Sequence, residues 1–209
     1  MTVDRPKPAA DHPLVLVVGG SAGSVQPLVQ IVRDLPRDLP AAVLVTIHIG
    51  EQSRLPQILS RSGPLRATQA RDSEVLELGR IYVAPPGRHL IIHNGLALLG
   101  PGPRVNRHRP SVDVMFASAA EWVARRAVAV VLSGVLDDGA VGAALIDQVG
   151  GQVLVQDPDE AEFAGMPRAA LAAAPGARAV PVRQLALQIR HALDAAQSRS
   201  SGAVASTAK

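Results

Sequence analysis

The chain alternates two patterns: an unbroken apolar run that stops at a glycine, serine or histidine, then apolar residues at helical spacing. Leu14-Val15-Leu16-Val17-Val18 ends in Gly19-Gly20, as expected of a strand buried on both faces of a parallel sheet. Val25, Leu28, Val29 and Val32 follow on one helical face, with Ser24 placed as N-cap and Pro36 beyond the end. Ala42 to Ile47 repeats the strand and Leu55 to Leu59 a short helix.

From Arg66 to Leu99 the alternation is looser. Small strands are expected at Ile81 to Ala84, Leu90 to Ile92 and Leu96 to Leu99, the last two joined through Asn94-Gly95 as a hairpin. Ser111 caps a helix through Val114, Met115, Ala119 and Trp122, followed by a strand at Ala127 to Leu132 and a helix at Ala140 to Val149. A strand at Gln152 to Gln156, a helix near Pro167 to Ala174, a strand at Ala179 to Val182 and a helix at Arg183 to Ala196 complete the series. Such alternation specifies an α/β fold, a three-layer, doubly wound, mostly parallel sheet with helices on both faces, interrupted by a small antiparallel hairpin. Residues 1–13 read as a flexible leader, 14–196 as one domain, and 197–209 as a disordered tail of small polar residues.

Composition removes several function classes. With no Cys there is no disulfide, thiolate metal site or Cys nucleophile, and a cytoplasmic location is expected. Aromatic residues make up 2% of the chain, too few for stacking platforms that bind single-stranded nucleic acid. No apolar run approaches the roughly 18 to 20 residues of a membrane span, so no direct membrane insertion is expected. A net charge of +3 is small, and it reflects Arg usage, since Lys7 and Lys209 are the only lysines. One cluster stands apart, Arg104, Arg107, His108 and Arg109; it reads either as a solvated basic loop or as a dock for an acidic partner.

In open parallel sheets, ligands bind beyond the carboxyl ends of the strands where strand order reverses. Three strand ends carry chemistry: Gly19-Gly20-Ser21-Ala22-Gly23, Ile47-His48-Ile49-Gly50, and Ser133-Gly134-Val135-Leu136-Asp137-Asp138-Gly139. Serine, histidine and aspartate at corresponding positions are the inventory of a nucleophilic hydrolase. Each residue also has a plainer reading. The Ser21 turn fits G-x-S-x-G, yet such a turn also binds phosphate or caps a helix. His48 could be a structural histidine at a strand end, and Asp138 a cap for the helix near Ala140, with Asp137 competing for either role. A dinucleotide fingerprint is disfavoured, because Ser21 and Ser24 occupy its second and third glycine positions and His48 stands where an acid is required. His48, His89, His93, His108, Asp137 and Asp138 show no metal-binding spacing, so no metal is expected.

Taken together these segments resemble the catalytic domain of CheB, the chemotaxis receptor methylesterase. The resemblance rests on Gly19 to Gly23, His48 and Leu132 to Gly139, with Ile81 to Leu90, Asn106 to Asp113 and Gly165-Met166-Pro167, and covers about residues 14 to 195. It implies a serine hydrolase that removes methyl groups from glutamate γ-methyl esters of chemoreceptors, releases methanol, deamidates particular glutamines and uses no cofactor. By position Ser21 is the nucleophile, His48 the base and then the acid, and Asp138 the orienting carboxylate, with Asp137 a neighbour. The amides of Ala22 and Val135 form the oxyanion hole, where the family often has Thr and Met. Arg107, Arg109 and Met166 are candidate substrate or partner contacts.

Regulated family members carry an N-terminal receiver domain, whereas about thirteen residues precede the first strand here. The expectation is a solo catalytic domain, constitutively active or controlled by a separate regulatory protein. A related esterase or amidase with another substrate, and a noncatalytic interaction module, are the competing readings.

Overall fold

The computed structural model describes residues 13–48, 50 and 54–205. In chain order the elements are β1 (Leu14–Gly20), α1 (Val25–Asp34), β2 (Ala41–Ile47), α2 (Leu55–Ser62), β3 (Arg66–Gln69), β4 (Glu74–Val75), β5 (Arg80–Val83), β6 (His89–His93) and β7 (Leu96–Gly100). Then come α3 (Val112–Val123), β8 (Ala127–Val131), α4 (Ala140–Gln148), β9 (Gln152–Gln156), α5 (Gly165–Ala173), β10 (Arg178–Val180) and α6 (Val182–Ala205).

Seven strands form a parallel sheet in the order β10-β9-β8-β1-β2-β5-β3. Every residue of β1 and β2 is buried, because both faces are covered. Leu14, Leu16 and Val18 of β1 point into one apolar layer with α1, α2 and α6. Val15 and Val17 point into the other, with α3, α4, α5 and the small sheet. That small sheet is antiparallel, in the order β4-β7-β6. The expected three-layer, doubly wound fold is therefore present.

Three local differences have physical causes. The strand β3, at the sheet edge, was hidden in the sequence because pairing on one side leaves only Ala67 of its four residues buried. Ser24 does occupy the N-cap position of α1, but its hydroxyl bonds back to the Ser21 carbonyl and makes no cap to the helix. Helix α6 runs on to Ala205, past the boundary at Ala196 drawn from composition; alanine, glutamine and arginine among these residues are adequate helix formers. Residues 1–12 and 206–209 lie outside the described residues, and with them most of the leader and the end of the tail.

Strand order reverses at β1. The chain leaves β1 for β2 and the β5-β3 edge, then crosses back to lay β8 on the other side of β1. The carboxyl ends of β1, β2 and β8 are therefore neighbours at the topological switch point, the place where such sheets bind ligands. Gly19 admits the start of α3 to this end of the sheet: a Cβ there would stand 2.2 Å from Val112 Cγ1.

Gly19→Ala should consequently destabilise the fold by about 1–3 kcal/mol through overpacking, read by urea unfolding. In a double-mutant cycle with Val112→Ala the two costs should be non-additive by about 1 kcal/mol; additive costs would show that the two residues do not press on one another.

Candidate active site

Ser21 is the first residue past β1, and its backbone is held at both ends. Its N–H donates to Ser133 O at 2.9 Å, while its carbonyl accepts from Ser24 N at 3.2 Å and from the Ser24 hydroxyl at 2.5 Å. The side chain is half-buried at the mouth of the turn.

The register of the sheet brings His48 beside it. Gly20 pairs with Ile47 across β1 and β2, so Ser21 and His48 stand one residue beyond a matched pair. The His48 N–H donates to Gly20 O at 3.2 Å. Its ring Nε2 lies 2.8 Å from Asp138 Oδ2. Since a carboxylate only accepts, Nε2 carries the hydrogen in the neutral ring and Nδ1 keeps the lone pair. Nδ1 is buried and has no hydrogen-bond partner among the described residues.

Asp138 is 2% exposed and holds four donors. Besides His48 these are the Ser111 hydroxyl at 2.8 Å and the amides of Val112 at 2.8 Å and Asp113 at 3.0 Å. The two amides begin α3, so Asp138 caps α3 and not the adjacent α4. The reciprocal duty falls to Asp113, whose Oδ1 accepts from Gly139 N at 2.9 Å and Gly142 N at 2.8 Å, at the start of α4. Two antiparallel favours are thus exchanged: each helix start is capped by the other's carboxylate. Burial pushes the Asp138 carboxyl up, but the bonds from His48, Asp113, Val112 and Ser111 outweigh it and hold it below the usual carboxylate range. Asp113 goes the other way. Burial, with the Asp138 charge beside it, pushes its carboxyl up to about 6 against the pull of the Gly142 and Gly139 amides.

The third strand end supplies a wall. Ser133 ties three segments together: its hydroxyl donates to Ala22 O at 2.8 Å and accepts from Phe163 N at 3.0 Å, and its amide donates to Gln156 Oε1 at 2.8 Å. The next residue, Gly134, lies against Ser21, since a Cβ there would be 2.9 Å from Ser21 Cβ and 2.1 Å from Met166 Sδ. The amides of Ala22 and Val135 donate to nothing among the described residues, whereas Gly134 N is bonded to Phe163 O at 2.9 Å. Leu136, with φ at 70°, turns the chain sharply just after Val135.

The remaining candidates fall into different places. Asp137 is exposed, and Asp138 alone of the pair reaches His48. Met166 is 1% exposed and packs beside Gly134 on the side that faces Ser21, since a Cβ on Gly134 would meet both Met166 Sδ and Ser21 Cβ. The Arg109 guanidinium bonds the carbonyls of Pro101 at 3.0 Å and Gly102 at 2.6 Å, so it braces its own loop; Arg107 is exposed. His89 is engaged by Ser111 N and Pro103 O, and His93 by Trp122. Among the described residues no three His, Asp or Glu side chains gather as a metal site. A cleft of about 570 Å³ lined by Arg61, Arg66, Arg71 and Arg80 lies at the β3 edge and includes none of Ser21, His48 or Asp138. Ser111, Asp113 and Ser133 were not singled out from sequence as site residues. Ser111 was visible as a cap, but the partners of all three come from distant segments.

Comparison with known proteins follows the same residues. The model of the CheB methylesterase family matches residues 16–189. A protein of Anaeromyxobacter dehalogenans (strain 2CP-C) named protein-glutamate methylesterase/protein-glutamine glutaminase 2 is 38% identical over 178 residues, 84% of this chain and 52% of its own length. A Leptospira interrogans relative is 37% identical over 161 residues, 76% of this chain and 83% of its own. The chain therefore spans about half the length of the first of these relatives and most of the second. The crystal structure of the Thermotoga maritima CheB methylesterase catalytic domain superposes with a TM-score of 0.81 at 28% identity, covering 86% of this chain and 98% of that one.

The Asp113 carboxyl predicts a pH signature in stability. Its folded value, about 6, exceeds the ordinary 3.8, so the folded state holds this proton more tightly. The group's contribution to stability is full below about pH 4 and declines as pH rises through about 6. Asp138, shifted down, contributes in the opposite sense, losing its share as pH falls below the ordinary carboxylate value. Urea unfolding of Asp113→Asn from pH 4 to 7 should lack the decline shown by the parent chain; the same slope in both would mean that Asp113 titrates normally.

Proposed function

Because the chain belongs to the CheB methylesterase family, we propose that it is a serine hydrolase acting on glutamate γ-methyl esters of chemoreceptors, and on glutamine side chains at the same centre. The observation that carries this reading is the His48 ring, clamped through Nε2 by Asp138 and left with a buried, unpartnered Nδ1 among the described residues, one register step from Ser21.

In the proposed reaction Nδ1 takes the proton from the Ser21 hydroxyl as Oγ attacks the ester carbonyl. The negative charge on the tetrahedral intermediate faces the amides of Ala22 and Val135. The C–O bond to methanol then breaks, and methanol leaves with the proton returned from His48. Water repeats the sequence on the acyl-enzyme: His48 accepts its proton, hydroxide adds to the acyl carbon, and the Ser21 oxygen leaves reprotonated. With glutamine, ammonia leaves in place of methanol. Asp138 stays ionised throughout, opposing the positive charge that His48 acquires. The scheme uses no cofactor and no metal ion.

A protein substrate suits the rim of this site. Val135, Leu136 and Phe163 are large apolar side chains that stay exposed on the two segments around Gly134. Arg107, exposed on a neighbouring turn, is the residue of the basic cluster free to meet acidic groups flanking a receptor glutamate. A cytoplasmic location is part of the proposal; no helix among the described residues is long and apolar enough to cross a membrane.

Methanol release from methylated receptor membranes, run beside hydrolysis of p-nitrophenyl acetate, tests the reading. Ser21→Ala should lower kcat by about 10⁶-fold and Asp138→Ala by about 10⁴-fold. Activity surviving Ser21→Ala would overturn it. Ser21-dependent cleavage of the small ester alone would instead mark an esterase of another substrate class. Arg107→Ala should raise KM for receptor membranes and flatten its salt dependence, leaving the small-ester KM unchanged. An unaltered receptor KM would return Arg107 to the solvated surface.

A further inference from the structure

The face of the His48 ring is covered by a second imidazole. His108 lies parallel to it, with ring centroids 3.6 Å apart and an interplanar angle of 5°. The contact joins the end of β2 to the turn before α3, segments far apart in sequence.

The turn that presents His108 is rigidly built. Val105 and His108 exchange both backbone hydrogen bonds, at 3.0 and 2.8 Å, around Asn106 and Arg107 with φ of 48° and 68°. This is a two-residue turn of the left-handed kind, in which glycine is favoured at the second position and arginine is disfavoured. Conformations of this cost persist where the surroundings over-determine them. Here Asn106 Nδ2 donates to Asp113 Oδ2 at 2.6 Å, Arg104 donates to the Arg107 carbonyl at 3.2 Å, and Arg109 braces the strand of loop behind. The clamp on Asn106 is the same carboxylate that caps α4, so the turn is referenced to the frame that holds Asp138.

His48 needs such a support. The ring turns about its Cβ–Cγ bond, and because Nε2 lies close to that axis, the single hydrogen bond to Asp138 resists the turn only weakly. In the proposed reaction such a turn would carry Nδ1 away from the Ser21 hydroxyl. We propose that His108 is a positioning residue for the hydrolytic reaction: its ring, stacked on His48, fixes the plane of the base so that Nδ1 stays aimed at the nucleophile. The inference rests on the Ser21-His48-Asp138 reading and extends it.

The surroundings keep His108 suited to this task. Burial, then His48, Arg104 and Arg107, push its proton affinity below the ordinary histidine range, against the pull of Asp138. A neutral ring over His48 adds no positive charge 3.6 Å from the imidazolium that forms during acylation.

The role belongs to a flat ring and not to its nitrogens, which sets the test. Steady-state kinetics on p-nitrophenyl acetate would compare His108→Ala, His108→Gln and His108→Phe, with Ser21→Ala as reference and thermal unfolding as a check of the fold. His108→Ala and His108→Gln should lower kcat by about 10- to 100-fold with KM within twofold. His108→Phe should restore kcat to within about threefold of the parent. Parent-like kcat in the Ala or Gln variant overturns the proposal. So does a Phe variant as slow as Ala, or a loss confined to KM. If Ser21→Ala is itself active, the triad reading fails instead, and the two failures are distinguishable.

Discussion

The site depends on one buried carboxylate. Asp138 takes the amides that open α3, the hydroxyl of Ser111 and the Nε2–H of His48, and this set of donors keeps it charged despite its burial. A lone buried anion would be costly; one that satisfies a helix terminus replaces bonds that water would otherwise make. The same carboxylate therefore both caps a helix and holds the His48 ring. Structure and chemistry share a single group, so loss of Asp138 removes a cap and an electrostatic partner together.

Around that carboxylate the molecule is arranged as a set of cross-connections between chain-distant ends. Asp113 returns the cap to α4, Ser133 fastens the Ser21 turn to the segment before α5, and Gly19 lets α3 approach β1 closely enough for the exchange. Asp113 and Asp138 are neighbouring carboxyls pushed in opposite directions, one charged and one inclined to hold its proton. Neighbouring carboxylates oppose one another's ionisation, and the Asp138 charge is one of the causes that raise Asp113. His108 belongs to the same lattice, tied to it through Asn106 and Asp113.

Much of this was legible beforehand where it depended on repeating local pattern. The strands β1, β2, β8 and β9 announce themselves as uninterrupted apolar runs, and the turns after them carry the residues later found at the switch point. Edge strand β3 did not, since half of its surface faces no partner and its polar residues look like loop. Arg109 was a candidate to meet a substrate, yet its guanidinium is bonded to its own loop, and Met166, the other such candidate, lies on the Ser21 side of Gly134 but is almost wholly buried. Burial and hydrogen-bond direction are properties of the assembled sheet, and no run of neighbours in sequence displays them.

The amino-acid order alone determined the doubly wound sheet, the positions of Ser21, His48 and Asp138 at strand ends and the family resemblance, because hydrophobic period and turn chemistry act over a few residues at a time. Tertiary structure alone decided which ring nitrogen of His48 meets the carboxylate, that Asp138 serves α3 in place of the helix it precedes, and that His108 lies over the His48 ring. Those outcomes come from close approach of segments some 25 to 90 residues apart, and such distances are set only when the layers pack.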